Sequence, residues 1–156
     1  MEDNRLNLTG KKVVVGLTGR TDSALAAFLL KKQGMQVIGL TIVTTDEESI
    51  EKSSLPKCHV NDLEKVKQLC AHLDIPFYAT NTKPRFESEV LDVLTGNKLI
   101  GKANTSCFNC SLLRMETLYD KMIALDADFM ATGHYAKVRM NLNSKKYFIH
   151  SSGHEG

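Results

Sequence analysis

Two short runs in this sequence have the residue types for chemistry. The first, Gly16-Leu17-Thr18-Gly19-Arg20-Thr21-Asp22-Ser23-Ala24, joins a β-branched run to a helical pattern. Backbone N–H groups around Gly19 to Ser23 could form an anion nest. The Thr18 and Ser23 hydroxyls could donate to phosphate oxygens, and the helix N-terminus adds the positive end of its dipole. Ionised Asp22 cannot donate to phosphate; it suits a magnesium ion or serves as a helix-cap acceptor. The same residues also make an ordinary capped turn, and neither G-x-x-x-x-G-K-[ST] nor G-x-G-x-x-G is present. The second run is Cys107-Phe108-Asn109-Cys110. A thiolate is both a soft metal ligand and a strong nucleophile, and a helix start with Lys102 and Arg114 nearby favours that charged form. Packed reduced thiols, disulfide exchange and metal ligation all fit the spacing. His134, after Gly133 at a strand end, either reaches a ligand there or closes the strand with a core hydrogen bond. Cys70 falls on an apolar helical stripe, where an inert buried thiol is expected. His72 reads as surface, and His150 and His154 have no partner visible in sequence. Lys11-Lys12 and Lys31-Lys32 suit a solvated surface better than phosphate contact.

The elements that must position these residues follow from the apolar pattern. The chain has 156 residues, 42% of them hydrophobic and 24% charged, which is the composition of one soluble domain. With 20 Lys+Arg against 18 Asp+Glu the net charge is +2, too little for a nucleic-acid coating protein, so any nucleic acid must be met locally. Apolar runs are short and the start lacks a secretory core, which excludes a membrane span and places the protein in the cytoplasm. Four cysteines are too few and too unevenly spaced for a disulfide framework.

Val13-Val14-Val15 reads as a strand, followed by a helix from near Ser23 that stops at Gly34 in the left-handed C′ position. Gln36 to Thr44 is a nearly continuous apolar run, the mark of a strand buried on both faces. Thr44 to Lys57 reads as a loop. Asn61 and Glu64 have capping-box spacing before a helix that carries Leu63, Val66, Leu69, Cys70 and Leu73, and a short strand follows at 75–80. A third helix is expected after Pro84, breaking at Gly96. A longer helix carries Leu112, Met115, Tyr119, Met122 and Ile123, a strand covers 128–134, and 137–150 is a terminal hairpin turning near Asn143 and Ser144. No linker or repeat divides residues 1–156. Strands alternating with helices predict an α/β three-layer sandwich, a mainly parallel sheet with helices on both faces.

With these residues in order, the chain resembles the tRNA-specific 2-thiouridylases, members of the PP-loop (N-type ATP pyrophosphatase) superfamily. Their loop reads Ser-Gly-Gly-x-Asp-Ser, against Thr18-Gly19-Arg20-Thr21-Asp22-Ser23 here. The resemblance continues through Gly39-Leu40-Thr41-Ile42, Cys58, the segment from Gly101 to Cys110, and Ala131-Thr132-Gly133-His134-Tyr135-Ala136-Lys137. It implies the adenine nucleotide alpha hydrolase-like (HUP/PP-loop) fold. It also implies that Gly16, Leu17, Thr18, Gly19, Arg20, Thr21, Asp22 and Ser23 surround the phosphates of ATP, with Mg2+ organised by Asp22. Ile42 would meet adenine through its backbone, and Gly133 with His134 would lie against the nucleotide. Cys110 falls on the catalytic cysteine of the family segment Gly-Arg-Thr-Pro-Asn-Pro-Asp-x-x-Cys-Asn. The chain departs from that segment at Cys107, which replaces the aspartate, and at both prolines. Arg20, in place of the second loop glycine, could either block a phosphate or bind it.

What the resemblance implies is ATP-dependent thiolation of tRNA. A uridine carbonyl is adenylated, sulfur from a persulfide donor protein is delivered through Cys110, and Cys107 resolves the intermediate. Other PP-loop sulfur-transfer enzymes hold an iron-sulfur cluster on three cysteines, which makes Cys58, Cys107 and Cys110, with His59 as a fourth ligand, a candidate iron-sulfur or zinc set. Longer relatives place a further cysteine and RNA-binding domains after this region, so residues 1–156 correspond to the N-terminal catalytic domain, with RNA-binding parts supplied elsewhere. Two other readings stay open: an ATP- or AMP-binding or scaffold module without turnover, and an adenylating enzyme with a non-tRNA acceptor.

Overall fold

The structure, a computed structural model, describes residues 7–45, 62–100, 106–141 and 144–151. In chain order these form β1 (Lys12–Gly16), α1 (Thr21–Lys32), β2 (Gln36–Val43), α2 (Leu63–His72) and β3 (Phe77–Asn81). A helical stretch follows, made of α3 (Lys83–Phe86), a π segment (Glu87–Leu91) and α4 (Asp92–Leu99). Then come α5 (Ser106–Ala124), β4 (Phe129–Ala131), β5 (Ala136–Met140) and β6 (Tyr147–Ser151). The first four strands make one sheet in the order β3-β2-β1-β4 with every pairing parallel, and β5 and β6 form a separate antiparallel hairpin.

The valine run explains the layers. Successive strand side chains point to opposite faces. Val13, Val15 and Val37 therefore meet Ala27 of α1 and Val66 and Cys70 of α2 on one face. Val14, Ile38, Leu40 and Ile42 meet Leu118 and Met122 of α5 on the other. A strand covered on both sides has no place for a polar alternate, which is why β1 and β2 read as continuous apolar runs. The expected α/β sandwich with helices on both faces is what the chain forms. Among the described residues no helix is long and apolar enough to cross a membrane.

Local signals held in part. Gly34 takes φ +84 after α1, as expected, and its N–H donates to the Lys31 carbonyl at 2.9 Å. Helix α1 begins at Thr21, two residues before the predicted start at Ser23. Helix α2 begins at Leu63, so its cap is Asp62, whose carboxylate accepts the Lys65 N–H at 3.0 Å. The Asn61–Glu64 capping box is corrected accordingly: Glu64 sits at the second helical position, and Asn61 lies outside the described residues. The helix after Pro84 runs through Gly96 to Leu99 and does not break there. A glycine costs a helix only about 1 kcal/mol, and the cluster of Phe86, Val90 and Leu113 anchors this helix against α5. The Asn141 and Lys146 backbones join at the base of the β5–β6 connection, and Asn143, where the turn was expected, lies outside the described residues. The loop expected at 44–57 lies mostly outside the described residues.

The basic pairs sit at the amino edge of the sheet. Lys11 pairs with Asp128 at 2.7 Å, Lys12 Nζ donates to the Leu125 carbonyl at 3.1 Å, and Lys31 donates to the Leu73 and Asp74 carbonyls. The hydrogen bond from Lys11 holds the Asp128 carboxyl below its ordinary range. These lysines close the ends of α2, α5 and β4 at the edge remote from the loop at 16–23.

Gly39 marks the tightest crossing in the first core. A Cβ there would come within 2.7 Å of Leu17 Cδ1 and 2.8 Å of Cys70 Sγ. Gly39→Ala is therefore expected to lower unfolding stability by about 1–3 kcal/mol, as overpacking does. Adding Cys70→Ala should recover part of that loss. Urea denaturation checks both, and a Gly39→Ala midpoint equal to wild type would contradict the packing.

Candidate functional site

Strand order reverses direction at β1: the chain steps outward through β2 and β3, then returns to place β4 on the other side. Ligands of open α/β sheets bind at such a switch, beyond the carboxyl ends of the strands. Here the switch lies between Gly16, which ends β1, and the segment after Ala131, which ends β4.

The loop leaving β1 is held before it turns. The Leu17 N–H donates to the Leu40 carbonyl at 2.8 Å, and the buried Thr41 hydroxyl donates to the Leu17 carbonyl at 3.0 Å. Gly19 takes φ +76, a left-handed conformation that suits glycine. Arg20 is extended, at φ −101 and ψ 158, and needs no special freedom. A side chain in place of the second loop glycine therefore strains no backbone here. Ser23 closes the turn from below. Its Oγ accepts the Thr18 N–H at 3.2 Å and donates to the Arg20 carbonyl at 3.1 Å, and the residue is only 4% exposed. Its hydroxyl thus serves the loop itself.

The segment after β4 lies directly on this turn. A Cβ on Gly133 would fall 2.5 Å from the Ser23 amide nitrogen and 2.7 Å from the Asp22 carbonyl carbon. Two residues on, the Tyr135 hydroxyl donates to Asp22 Oδ1 at 2.7 Å. That bond, followed by the Coulombic pull of the same carboxylate, raises the Tyr135 phenol above its ordinary range. Asp22 stands at the second position of α1, where negative charge suits the dipole. It does not cap the helix: Arg20 occupies the cap position, and no side chain bonds there. Thr132 Oγ1 and His134 Nδ1 lie 2.7 Å apart.

These parts enclose a cavity of about 350 Å3. Leu40 and Ile42 from β2 and Met115 and Leu118 from α5 form an apolar wall. Thr18, Arg20, Asp22 and Ser23 line it from the loop and the start of α1, and Thr132, Gly133 and His134 from the segment that lies on that turn. Gly16 and Leu17 also line the cavity, so most residues expected to surround a nucleotide are brought together. Gly19 and Thr21 shape the turn without being among the lining residues. Sequence reasoning passed over Ser111 and Arg114 as lining residues, although Ser111, Arg114, Met115 and Leu118 share one helix face by their spacing. Tyr135 was also missed, because its partner is 113 positions away.

The cysteine pair stands on α5 next to this wall but not in it. Cys107 is exposed and lies one turn before Ser111, on the stripe that faces the cavity. Cys110 is half-buried against the Phe86, Val90 and Leu113 cluster. Asn109 between them donates through Nδ2 to the Glu89 carbonyl at 3.1 Å, inside the π segment. Arg85 clamps the same two helices, reaching Glu89 at 2.7 Å and Glu116 at 2.8 Å. These carboxylates hold its guanidinium above the ordinary range. Cys70 is buried, and burial pushes its thiol up, as an inert core cysteine requires. Among the described residues no three His, Cys, Asp or Glu side chains gather to hold an ion. Cys58 and His59 lie outside the described residues, so the iron-sulfur or zinc set gains no support here.

Residues 11–155 match the family described as the tRNA methyl transferase HUP domain. The chain is 36% identical over 135 residues to the tRNA-specific 2-thiouridylase MnmA of Clostridium botulinum, which covers 85% of this chain and 37% of that protein. Against MnmA of Clostridioides difficile the identity is 32% over 143 residues, covering 91% and 40%. The chain thus spans well under half the length of these relatives. A solved structure, a predicted subunit of tRNA methyltransferase from Methanocaldococcus jannaschii, shares the fold with a TM-score of 0.53 at 17% identity. It covers 80% of this chain and 53% of its own.

Two outcomes follow from the geometry. A methyl group at 133 meets only backbone, so Gly133→Ala should push residues 132–135 off the start of α1 and lower unfolding stability by about 1–3 kcal/mol. Urea denaturation measures it, and an unchanged midpoint contradicts the close approach. Iodoacetamide on the native protein should alkylate Cys107 before Cys110, and Cys70 only on unfolding, with peptide mass spectrometry reading the order.

Proposed function

The chain belongs to the tRNA methyl transferase HUP-domain family, the N-terminal PP-loop domain of the tRNA-specific 2-thiouridylases, and from that premise we propose that it binds ATP in the 350 Å3 cavity and adenylates a tRNA uridine for sulfur transfer. The observation that carries the reading is convergence. One cavity is lined by the loop at 16–23, by the apolar side chains of Leu40, Ile42 and Leu118, and by the helix whose first two turns bear both cysteines.

The cavity fits the nucleotide chemically. Leu40, Ile42 and Leu118 offer apolar surface to the base, while the Gly19 turn and the start of α1 offer N–H groups to phosphate. Arg20 and Arg114 line the cavity from different elements and would bear on the negative charge that builds on the departing pyrophosphate. Asp22 is the carboxylate among the lining residues and, with the nucleotide's own phosphates, would hold Mg2+, which supplies charge neutralisation to phosphoryl chemistry.

The chemistry then runs in two displacements. The C2 carbonyl oxygen of the uridine attacks the α-phosphorus and pyrophosphate leaves. Cys110, loaded as a persulfide by a donor protein, attacks C2 through its terminal sulfur, and AMP departs with the bonding pair. The Cys107 thiolate attacks Cys110 Sγ, and the electrons of the broken S–S bond pass to the sulfur now on the base. The 2-thio group is formed, and the Cys107–Cys110 disulfide is reopened by an external thiol. Because Cys110 is half-buried beside Phe86, delivery requires the first turn of α5 to rotate or loosen.

That requirement favours keeping a second reading in view, an ATP- or AMP-binding module without turnover, since neither cysteine lines the cavity. An adenylating enzyme with another acceptor forms the third. Incubation with Mg2+, ATP, tRNA and a radiolabelled persulfide donor separates them. The proposed function predicts tRNA-dependent pyrophosphate release and label on tRNA, with the label lost in Cys110→Ser. Binding without pyrophosphate release supports the module, and release that ignores tRNA supports another acceptor. Arg114→Ala should weaken ATP by about tenfold, the cost of losing one charged hydrogen bond.

A further inference from the structure

Acidic residues stop at Asp128 and do not return until Glu155, while Lys137, Arg139, Lys145 and Lys146 fall in between. The other 16 Lys and Arg are outnumbered by the 18 Asp and Glu, so the hairpin carries more than the whole net charge of +2. Among the described residues no carboxylate pairs with any of these four cations.

The hairpin register sorts its side chains. Arg139 stands opposite Phe148, and Lys137 is two residues along the same face. Val138, Met140, Tyr147 and Ile149 stand on the reverse face. One face is thus cationic with an aromatic ring beside the charges, and the other is apolar. The hairpin also has a fixed root. His134 lines the cavity, Tyr135 holds Asp22, and β5 begins at the next residue.

We propose that the Lys137, Arg139 and Phe148 face is the docking surface for the RNA substrate, a role that rests on the reading of the cavity as a tRNA-modifying site. Lys137 and Arg139 lie on phosphates of an unpaired segment, Phe148 stacks on one of its bases, and Lys145 and Lys146 extend the contact at the turn. Single-stranded nucleic acid is held by this combination of cations that track the backbone and rings on which bases stack. The position supplies the reason: RNA on this face emerges at the rim of the cavity where its base must be activated. An anionic membrane fits less well, because a flat surface cannot meet cations and apolar side chains that stand on opposite faces of one ribbon.

The test uses the intact chain and unmodified bulk tRNA, with binding followed by fluorescence anisotropy between 50 and 200 mM KCl. Lys137→Glu with Arg139→Glu should raise the tRNA Kd at least about tenfold and reduce the slope of log K against log salt by about 1.4, the share of two phosphates. Phe148→Ala should cost roughly five- to a hundredfold, and Phe148→Tyr should restore binding, which separates stacking from a folding defect. Val138→Thr with Ile149→Thr, on the reverse face, should leave the Kd unchanged. A charge-reversed variant within twofold of wild type overturns the proposal. So does wild type that binds phosphatidylserine vesicles or polyglutamate as tightly as tRNA at equal charge. ATP affinity is measured in parallel. If ATP fails to bind while the tRNA results hold, the thiolation reading falls and the docking face stands. If pyrophosphate release is tRNA-dependent but the hairpin variants bind normally, only the docking face is lost.

Discussion

Gly133 lies so close to the backbone of Asp22 and Ser23 that no side chain fits between them, and the cavity depends on that contact. It joins segments more than a hundred residues apart, and it exists because β1 and β4 are paired in parallel from Val13 and Phe129 to Val15 and Ala131. At the opposite end of the same pair, Asp128 accepts from Lys11 Nζ and from the Lys12 N–H. The pairing is thus fastened at its amino end by charge-assisted hydrogen bonds and at its carboxyl end by close backbone approach. Between these points the valines of β1 leave little freedom to slide, since a slip of one residue would turn each of them to the wrong face.

Helix α5 performs the second task, joining the sheet to the cysteines. Its later turns insert Leu118 and Met122 under β1 and β2, while its first turns meet the Phe86 and Val90 cluster through Leu113 and Cys110. Ser111, Arg114 and Met115 are carried past the cavity between these anchors. The π segment at Glu87–Leu91 and the Asn109 bond to the Glu89 carbonyl meet at the cysteine turn. A π segment widens one helical turn and is commonly found near functional sites. Here it provides the carbonyl to which the residue between the two cysteines is tied.

Much of the frame was legible because it depends on local physics. Val13 to Val15, the apolar run of β2 and Gly34 each state their role through side-chain type and backbone freedom. The loop at 16–23 was legible as the turn between β1 and α1 but not as a network: the Ser23 hydroxyl, read as a phosphate donor, bonds its own turn. Gly96 suggested a break because a local pattern does not include Phe86 and Leu113, which hold that helix from outside. Asp62 was passed over as a cap because cap identity depends on the first helical residue, and shifting that start by one position reassigns every role in the turn. Tyr135 could not be linked to Asp22 without the sheet order that brings them together.

The hairpin's charge has a consequence for encounter. With four cations on β5 and the connection to β6, and a balance of −2 on the rest of the chain, the charge is unevenly divided along the molecule. A polyanion within the Debye length, about 8 Å at physiological salt, experiences a torque as well as attraction, and turns toward the ribbon before it touches anything. Approach is therefore oriented at short range only, and the end that meets the visitor first is rooted at the cavity rim.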